Sequence, residues 1–118
     1  MFQEVLRNIV EQTEGSVAGF LMGFDGIPVA DFVRDTAKID VTSIGAEYGN
    51  ILKEIRKAAD LLDAGSAREV SIGAERMTAV MRVLNGEYFV AIALEPNGNL
   101  GKARFLLRTN ASKLLEAL

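Results

Sequence analysis

The stretch Gly19–Phe32, GFLMGFDGIPVADF, decides the fold. Its Asp25-Gly26 pair separates two apolar runs, and this is a strong β-hairpin signal because glycine takes positive φ at no steric cost. The first arm, from Val17 to Met22, shows no alternation of polar and apolar residues. A strand of that kind is covered on both faces. The sequence therefore predicts a sheet with a further layer packed on each side.

The other strand signals predict the order of strands across this sheet. Pro28 places the second arm of the hairpin at an edge, because proline has no N–H to give to a neighbouring strand. Tyr88–Leu94 is apolar on both faces and is expected beside the first strand at the centre. An Asn85-Gly86 turn joins it to Met77–Leu84, so these two strands form a second hairpin.

Apolar residues at helical spacing predict three helices. The first begins near Phe2 and ends near Gly15; the second follows the N-cap Asp40 and ends near Gly65; the third follows Asn99. The chain is thus predicted to be an α/β (α+β) protein of order α-β-β-α-β-β-β-α. Its five strands form one antiparallel-type sheet of spatial order 2-1-5-4-3, with the middle helix on one face and the terminal helices on the other. Residues 1–118 are enough for one domain and too few for two.

The composition argues against several classes of function. The net charge of −3 and pI of about 5.0 disfavour nucleic acid, which attracts basic surfaces. The chain has no cysteine and no histidine, so it lacks disulfides, thiolate metal sites and the usual general base. The longest strongly apolar run, about Tyr88–Leu94, is far shorter than the ~20 residues of a membrane span. With no leader-like start, we expect a cytoplasmic protein without membrane insertion.

Three motifs resemble chemical sites without completing one. Gly98–Ala103 looks like a phosphate-binding loop, but the first glycine is missing and Ala103 stands where Ser or Thr would bind Mg²⁺. Asp25, Asp31 and Asp35 lack the oxygen-ligand spacing of a calcium loop. The serines have no histidine to activate them. We expect no catalytic residue, no cofactor and no metal.

Two features of the predicted fold suggest a partner surface and leave alternatives open. Gly45 and Gly49 lie one turn apart in the middle helix, where each costs about 1 kcal/mol relative to alanine. They indicate a close approach, either to the domain's own sheet or to the same helix of a second subunit. Glu69–Ala74 forms the second edge of the sheet, which either pairs with its copy in a dimer or is blunted by charges such as Arg68 and Glu75.

The polar side of the middle helix also has two interpretations. It is either a solvated face with short-range pairs such as Glu54–Lys57, or part of a surface that binds another protein. The residues alone therefore favour a compact protein-recognition module without catalytic groups.

The hairpin Phe24–Ala30, FDGIPVA, and the strand-to-helix junction Pro96–Arg104, PNGNLGKAR, resemble the Roadblock/dynein light chain family in its bacterial MglB-like branch. The resemblance extends over essentially the whole chain. It implies the layered fold described above and a homodimer formed through the middle helices and the third strand. Carried onto this sequence, the dimer interface would contain Gly45, Tyr48, Gly49, Leu52, Val70 and Ile72.

The resemblance further implies a partner and a pathway. The partner would be a bacterial Ras-like small GTPase of the MglA type, in a module that controls cell polarity and motility. Regulators of this branch stimulate GTP hydrolysis without an arginine finger, by reorganising the GTPase's own catalytic residues. The alternative is an adaptor that binds another Roadblock protein without touching the GTPase. The surface for the partner would include Glu47, Lys53, Arg56 and Lys57.

Overall fold

The computed structural model describes residues 1–118, and its elements follow the predicted order α-β-β-α-β-β-β-α. The helices and strands are α1 Phe2–Gln12, β1 Ser16–Gly23, β2 Pro28–Val33, α2 Val41–Leu61, β3 Glu69–Gly73, β4 Thr78–Val83, β5 Tyr88–Leu94 and α3 Leu100–Glu116. None of the helices combines the length and the apolar character that crossing a bilayer requires.

The five strands form one sheet of order β2-β1-β5-β4-β3, as predicted. Every neighbouring pair is antiparallel. Phe20 in the middle of β1 lies opposite Asp31 of β2 on one side and Ala91 of β5 on the other. The two strands that are apolar on both faces are therefore adjacent at the centre, and β2 with Pro28 lies at an edge.

Alternate side chains of β1 enter two separate cores, one on each face of the sheet. Leu21 packs with residues of α1 and α3, whereas Phe20 and Met22 pack under α2 with Phe89. The ring of Phe89 meets that of Phe20 edge-on, with the centroids 6.2 Å apart. The terminal helices thus cover one face of the sheet and the middle helix covers the other, as predicted.

Two helices begin at the predicted N-cap residues. The Asp40 carboxylate accepts hydrogen bonds from the backbone N–H and the hydroxyl of Ser43, and these bonds lower the pKa of Asp40. The side-chain oxygen of Asn99 accepts from the N–H of Lys102 at 3.0 Å. Each cap satisfies N–H groups that the first helical turn leaves without partners, and so fixes where its helix starts.

The turn from α1 to β1 crosses the turn from β5 to α3 at two glycines. Gly15 has φ +81°, and a Cβ on it would overlap the Cα of Gly98. The N–H of Glu95 donates to the Gly15 oxygen, and the N–H of Asn99 donates to the Glu14 oxygen, both at 2.8 Å. The backbone hydrogen bonds at this crossing thus connect the α1–β1 turn directly to the β5–α3 turn.

Candidate functional site on helix α2

The sheet-facing side of α2 is made of small and apolar residues. A Cβ on Gly45 would lie 2.6 Å from the sulfur of Met22 and 3.2 Å from the ring of Phe20. A Cβ on Gly49 would lie at an ordinary 3.4 Å from the ring of Phe89. The two glycines therefore face the protein's own sheet, which is the first of the two alternatives left open by the sequence.

These positions divide the six residues predicted for a dimer interface into two groups. Gly45, Gly49 and Leu52 are buried within the chain itself. Tyr48 of α2 and Val70 and Ile72 of β3 are half-buried against the same core under α2. This second group lies where the chain does not fully cover the side of α2 next to β3. Burial of Tyr48 there raises the pKa of its phenol.

The two glycines should respond oppositely to a larger side chain. Gly45→Leu must displace Met22 and Phe20, so we expect the free energy of unfolding to fall by about 2–3 kcal/mol. Gly49→Ala fits the available space and improves helix propensity, so we expect a gain of about 0.5–1 kcal/mol. Urea denaturation followed by circular dichroism at one protein concentration measures both. A Gly45→Leu protein as stable as the parent would contradict the close approach seen at this position.

One long side of α2 and the neighbouring strands form an incompletely covered apolar surface. The backbone of α2 packs mainly over β1 and β2, so Val70 and Ile72 of β3 and Val83 of β4 are only partly buried on this face, although Met81 of β4 is fully buried. Ile51 and Ile55 on the helix are 40% and 39% exposed. We call this surface the open apolar face; it consists of Ile44, Tyr48, Ile51, Ile55, Val70, Ile72 and Val83.

The opposite side of α2 is polar and faces the β1–β2 hairpin. Lys53 and Asn50 line a hollow of about 140 Å³ together with the hairpin residues Gly23–Gly26. The guanidinium of Arg56 stacks over the ring of Phe24 at 4.4 Å and donates to the Gly86 oxygen at 3.4 Å. The hairpin and α2 therefore present one joint surface.

The four residues predicted to bind a partner do not all lie on this joint surface. Lys53, Arg56 and Lys57 lie on the same half of α2, and Lys57 also pairs with Glu54 at 3.4 Å. Glu47 is exposed, but the helical repeat places it about 120° around α2 from Lys53. Glu47 thus belongs to the outermost side of the helix.

The tip of the hairpin carries an exposed apolar residue that the sequence analysis did not select. Ile27 is 63% exposed, and its N–H is bound to the Asp25 carboxylate at 3.0 Å. An isoleucine directly after an Asp-Gly turn was the available signal, since a solvated turn normally carries polar residues there. We define the hairpin–helix surface as Ile27, Lys53, Arg56 and Lys57.

No feature of α2 or of the sheet supplies an evident catalytic group. Nowhere do three or more His, Cys, Asp or Glu residues gather closely enough to hold a metal ion. The displaced pKa values have structural causes: Asp40 caps a helix, Tyr48 is partly buried, and the pKa of Arg104 is raised by its bond to Glu69.

Comparison with solved structures identifies the family. MglC from Myxococcus xanthus is 40% identical, covers 98% of this chain and 97% of its own, and superimposes with a TM-score of 0.71. The chain belongs to the Roadblock/LC7 family, in its bacterial MglB-like branch. A scan against protein-family models gives no match, and a search of the curated proteins gives none either.

More distant Roadblock structures show the same fold. The gliding protein MglB from Thermus thermophilus is 17% identical, covers 96% of this chain and 84% of its own, and has a TM-score of 0.85. A Roadblock/LC7 domain from Streptomyces avermitilis is 13% identical, covers 96% and 97% of the two chains, and has a TM-score of 0.78. The family predicted from the hairpin and the strand-to-helix junction is thus confirmed, and it includes a protein of gliding motility.

Proposed function

We propose that this Roadblock protein is a dimeric, non-enzymatic regulator of a bacterial Ras-like small GTPase in a polarity or motility module. The observation that carries the proposal is the division of α2 into an incompletely covered apolar side and a charged side next to the hairpin. One side is the open apolar face, suited to a second copy of the chain. The other is the hairpin–helix surface, which is charged, exposed and suited to a different protein.

The open apolar face supports a homodimer. Half-exposed isoleucines in continuous rows are unusual on a monomer and favour burial by association. A two-fold axis beside α2 would set Ile51 and Ile55 against the same residues of the second copy, since such an interface uses one patch twice. It would also bring the two β3 edges together, and β3 has a free edge in this sheet.

The hairpin–helix surface supports an allosteric partner contact. Arg56 is held against Phe24 and Gly86, so it is not an extended side chain free to reach into another protein's active site. A regulator whose arginine on the contact surface is held in this way would act by positioning groups that the GTPase already possesses. Lys53 and Lys57 would meet acidic residues of the GTPase, and Ile27 would bury apolar area beside them.

The decisive experiment adds this protein to a purified Ras-like small GTPase from the same organism and follows GTP hydrolysis. We expect faster turnover, and we expect Lys53→Glu/Lys57→Glu to lower the stimulation about tenfold by reversing two contact charges. The matched control, Lys102→Glu/Lys113→Glu on α3, changes the charge equally on the other face of the sheet and should retain the stimulation. Binding without any change in hydrolysis or nucleotide exchange would rule out a role as GTPase regulator.

A second candidate is an adaptor that binds another Roadblock protein through the same surface. One observation sets this chain apart from MglB: it is 40% identical to MglC but only 17–18% identical to two MglB structures, so its partner need not be the partner of an MglB protein. Binding measurements with a purified small GTPase and with a purified MglB-type protein, made under the same conditions, distinguish the regulator from the adaptor. Binding to the MglB-type protein alone, weakened by Lys53→Glu/Lys57→Glu, would favour the adaptor.

A further inference from the structure

The charges of this acidic protein are distributed unevenly among its helices. The whole chain carries −3, but α3 has four cations against one carboxylate and so carries +3, which leaves −6 for the remainder. In α2 the three cations are balanced by three carboxylates, and α1 carries −1. The excess of positive charge is thus confined to α3, on the face of the sheet opposite α2.

The unpaired cations of α3 lie on the same outer side of the helix as an exposed aromatic ring. Phe105 is 48% exposed, and the guanidinium of Arg108 lies 5.6 Å from the centre of its ring. Lys102 and Lys113 lie within about 80° of Phe105 around the helix, on the side away from Arg108. Arg104 is neutralised by Glu69 at 2.8 Å, whereas Lys102, Arg108 and Lys113 form no ion pair.

We propose that the outer side of α3 is a docking surface for an acidic amphipathic segment of another protein. We call it the basic face; it consists of Lys102, Phe105, Arg108, Lys113 and Leu115. Carboxylates of the segment would meet the three unpaired cations, and its apolar side chains would cover Phe105 and Leu115. Aromatic and arginine side chains are the residue types that contribute most to protein interfaces.

The neighbouring helix explains why the occupant is a narrow segment and not a flat anionic membrane. α1 lies alongside α3 and exposes the unpaired carboxylate of Glu4, whereas Glu11 is paired with Arg7 at 3.3 Å. A membrane surface broad enough to contact the basic face would also meet α1, whose net charge of −1 weakens the attraction to anionic lipids. The apolar residues of α3 are mostly used in the core, and only Phe105 and Leu115 remain to enter a bilayer. A single acidic helix can follow α3 without approaching α1.

This inference goes beyond the proposed function, because the basic face lies across the sheet from the hairpin–helix surface. A protein bound along α3 would leave both sides of α2 free. The molecule could therefore hold two different partners at once, and loss of one contact would not remove the other.

The test uses the full chain labelled with ¹⁵N and a synthetic amphipathic peptide of glutamate and leucine as the probe. We expect amide shifts concentrated in α3 and binding that weakens with added salt. Lys102→Glu/Arg108→Glu/Lys113→Glu should weaken binding by about tenfold or more, since each exposed pair contributes little alone but three act together. Phe105→Ala, an exposed position, should weaken it as well. The matched control, Lys53→Glu/Arg56→Glu/Lys57→Glu on α2, reverses the same number of charges and should bind the peptide as the parent does.

Several results would overturn the proposal. They are amide shifts that map to α2 or the hairpin, equal affinity of the α3 variant, or equal binding of a lysine–leucine peptide. Binding to phosphatidylserine vesicles that the α3 variant loses, with no peptide binding, would assign the face to a membrane instead. GTP hydrolysis does not enter this experiment, so its outcome is independent of the proposed function.

Discussion

Replacing Ile51 and Ile55 together by glutamate is expected to turn the proposed dimer into a monomer. Each isoleucine leaves about two fifths of its surface exposed on the isolated chain. Burying that area in a dimer contributes roughly 1–2 kcal/mol per residue, which the substitution removes. It also places carboxylates of like charge in a desolvated contact across the two-fold axis, at a further cost of several kcal/mol. The dimer dissociation constant should rise about a thousandfold or more.

Sedimentation equilibrium or light scattering at micromolar concentration measures this change directly. The control is Leu61→Glu, which places one carboxylate, where the test variant places two, at an exposed apolar residue on the same helix and away from the open apolar face. That variant should keep the parent's association state. If the Ile51→Glu/Ile55→Glu protein remains a dimer of unchanged affinity, the open apolar face is not the interface.

The second large effect is expected at the glycine crossing. Gly15→Ala places a Cβ at φ +81°, which costs about 1–2 kcal/mol for a residue with a side chain. The same Cβ overlaps the backbone of Gly98, and a backbone cannot move aside as a flexible side chain can. We expect a total loss of about 3 kcal/mol or more in the free energy of unfolding. For a domain of this size the melting temperature should fall by more than about 10 °C.

Gly65→Ala is the control that separates the two contributions. Gly65 has φ +84°, but nothing lies within 4 Å of a Cβ built there. It should therefore show the cost of the backbone conformation alone. Calorimetry of both variants in the same buffer gives the difference, which measures the backbone crossing. Equal losses in Gly15→Ala and Gly65→Ala would show that the close approach to Gly98 contributes nothing.

The strand order was predictable because its determinants are local. β1 and β5 each lack alternation, so both had to be central, and Pro28 had to be at an edge. The N-cap residues Asp40 and Asn99 were equally predictable, since a capping side chain forms its hydrogen bond with the first turn of its own helix. In each case the signal lies within the strand or helix that it describes, even where, as for β1 and β5, the paired strands are far apart in the chain.

The parts of the site that depend on distant contacts were not predictable in the same way. A helical repeat shows that Gly45 and Ile51 share an apolar half of α2, but not that the sheet stops short of Ile51. Arg56 has the pattern of a solvated charge, yet Phe24 and Gly86, each about 30 positions away, hold it in place. Pattern alone contains no information about which distant residue fills the space beside a side chain.

The position of β1 between β2 and β5 has a consequence for how the protein is made. β2 follows β1 within a few residues, but the partner for the other edge of β1 begins only at Tyr88. During translation the edge of β1 that pairs with β5 therefore keeps its backbone N–H and C=O groups without strand partners until most of the polypeptide has left the ribosome. Chaperones should therefore be needed to protect nascent chains of this protein from aggregation until β5 has been synthesised.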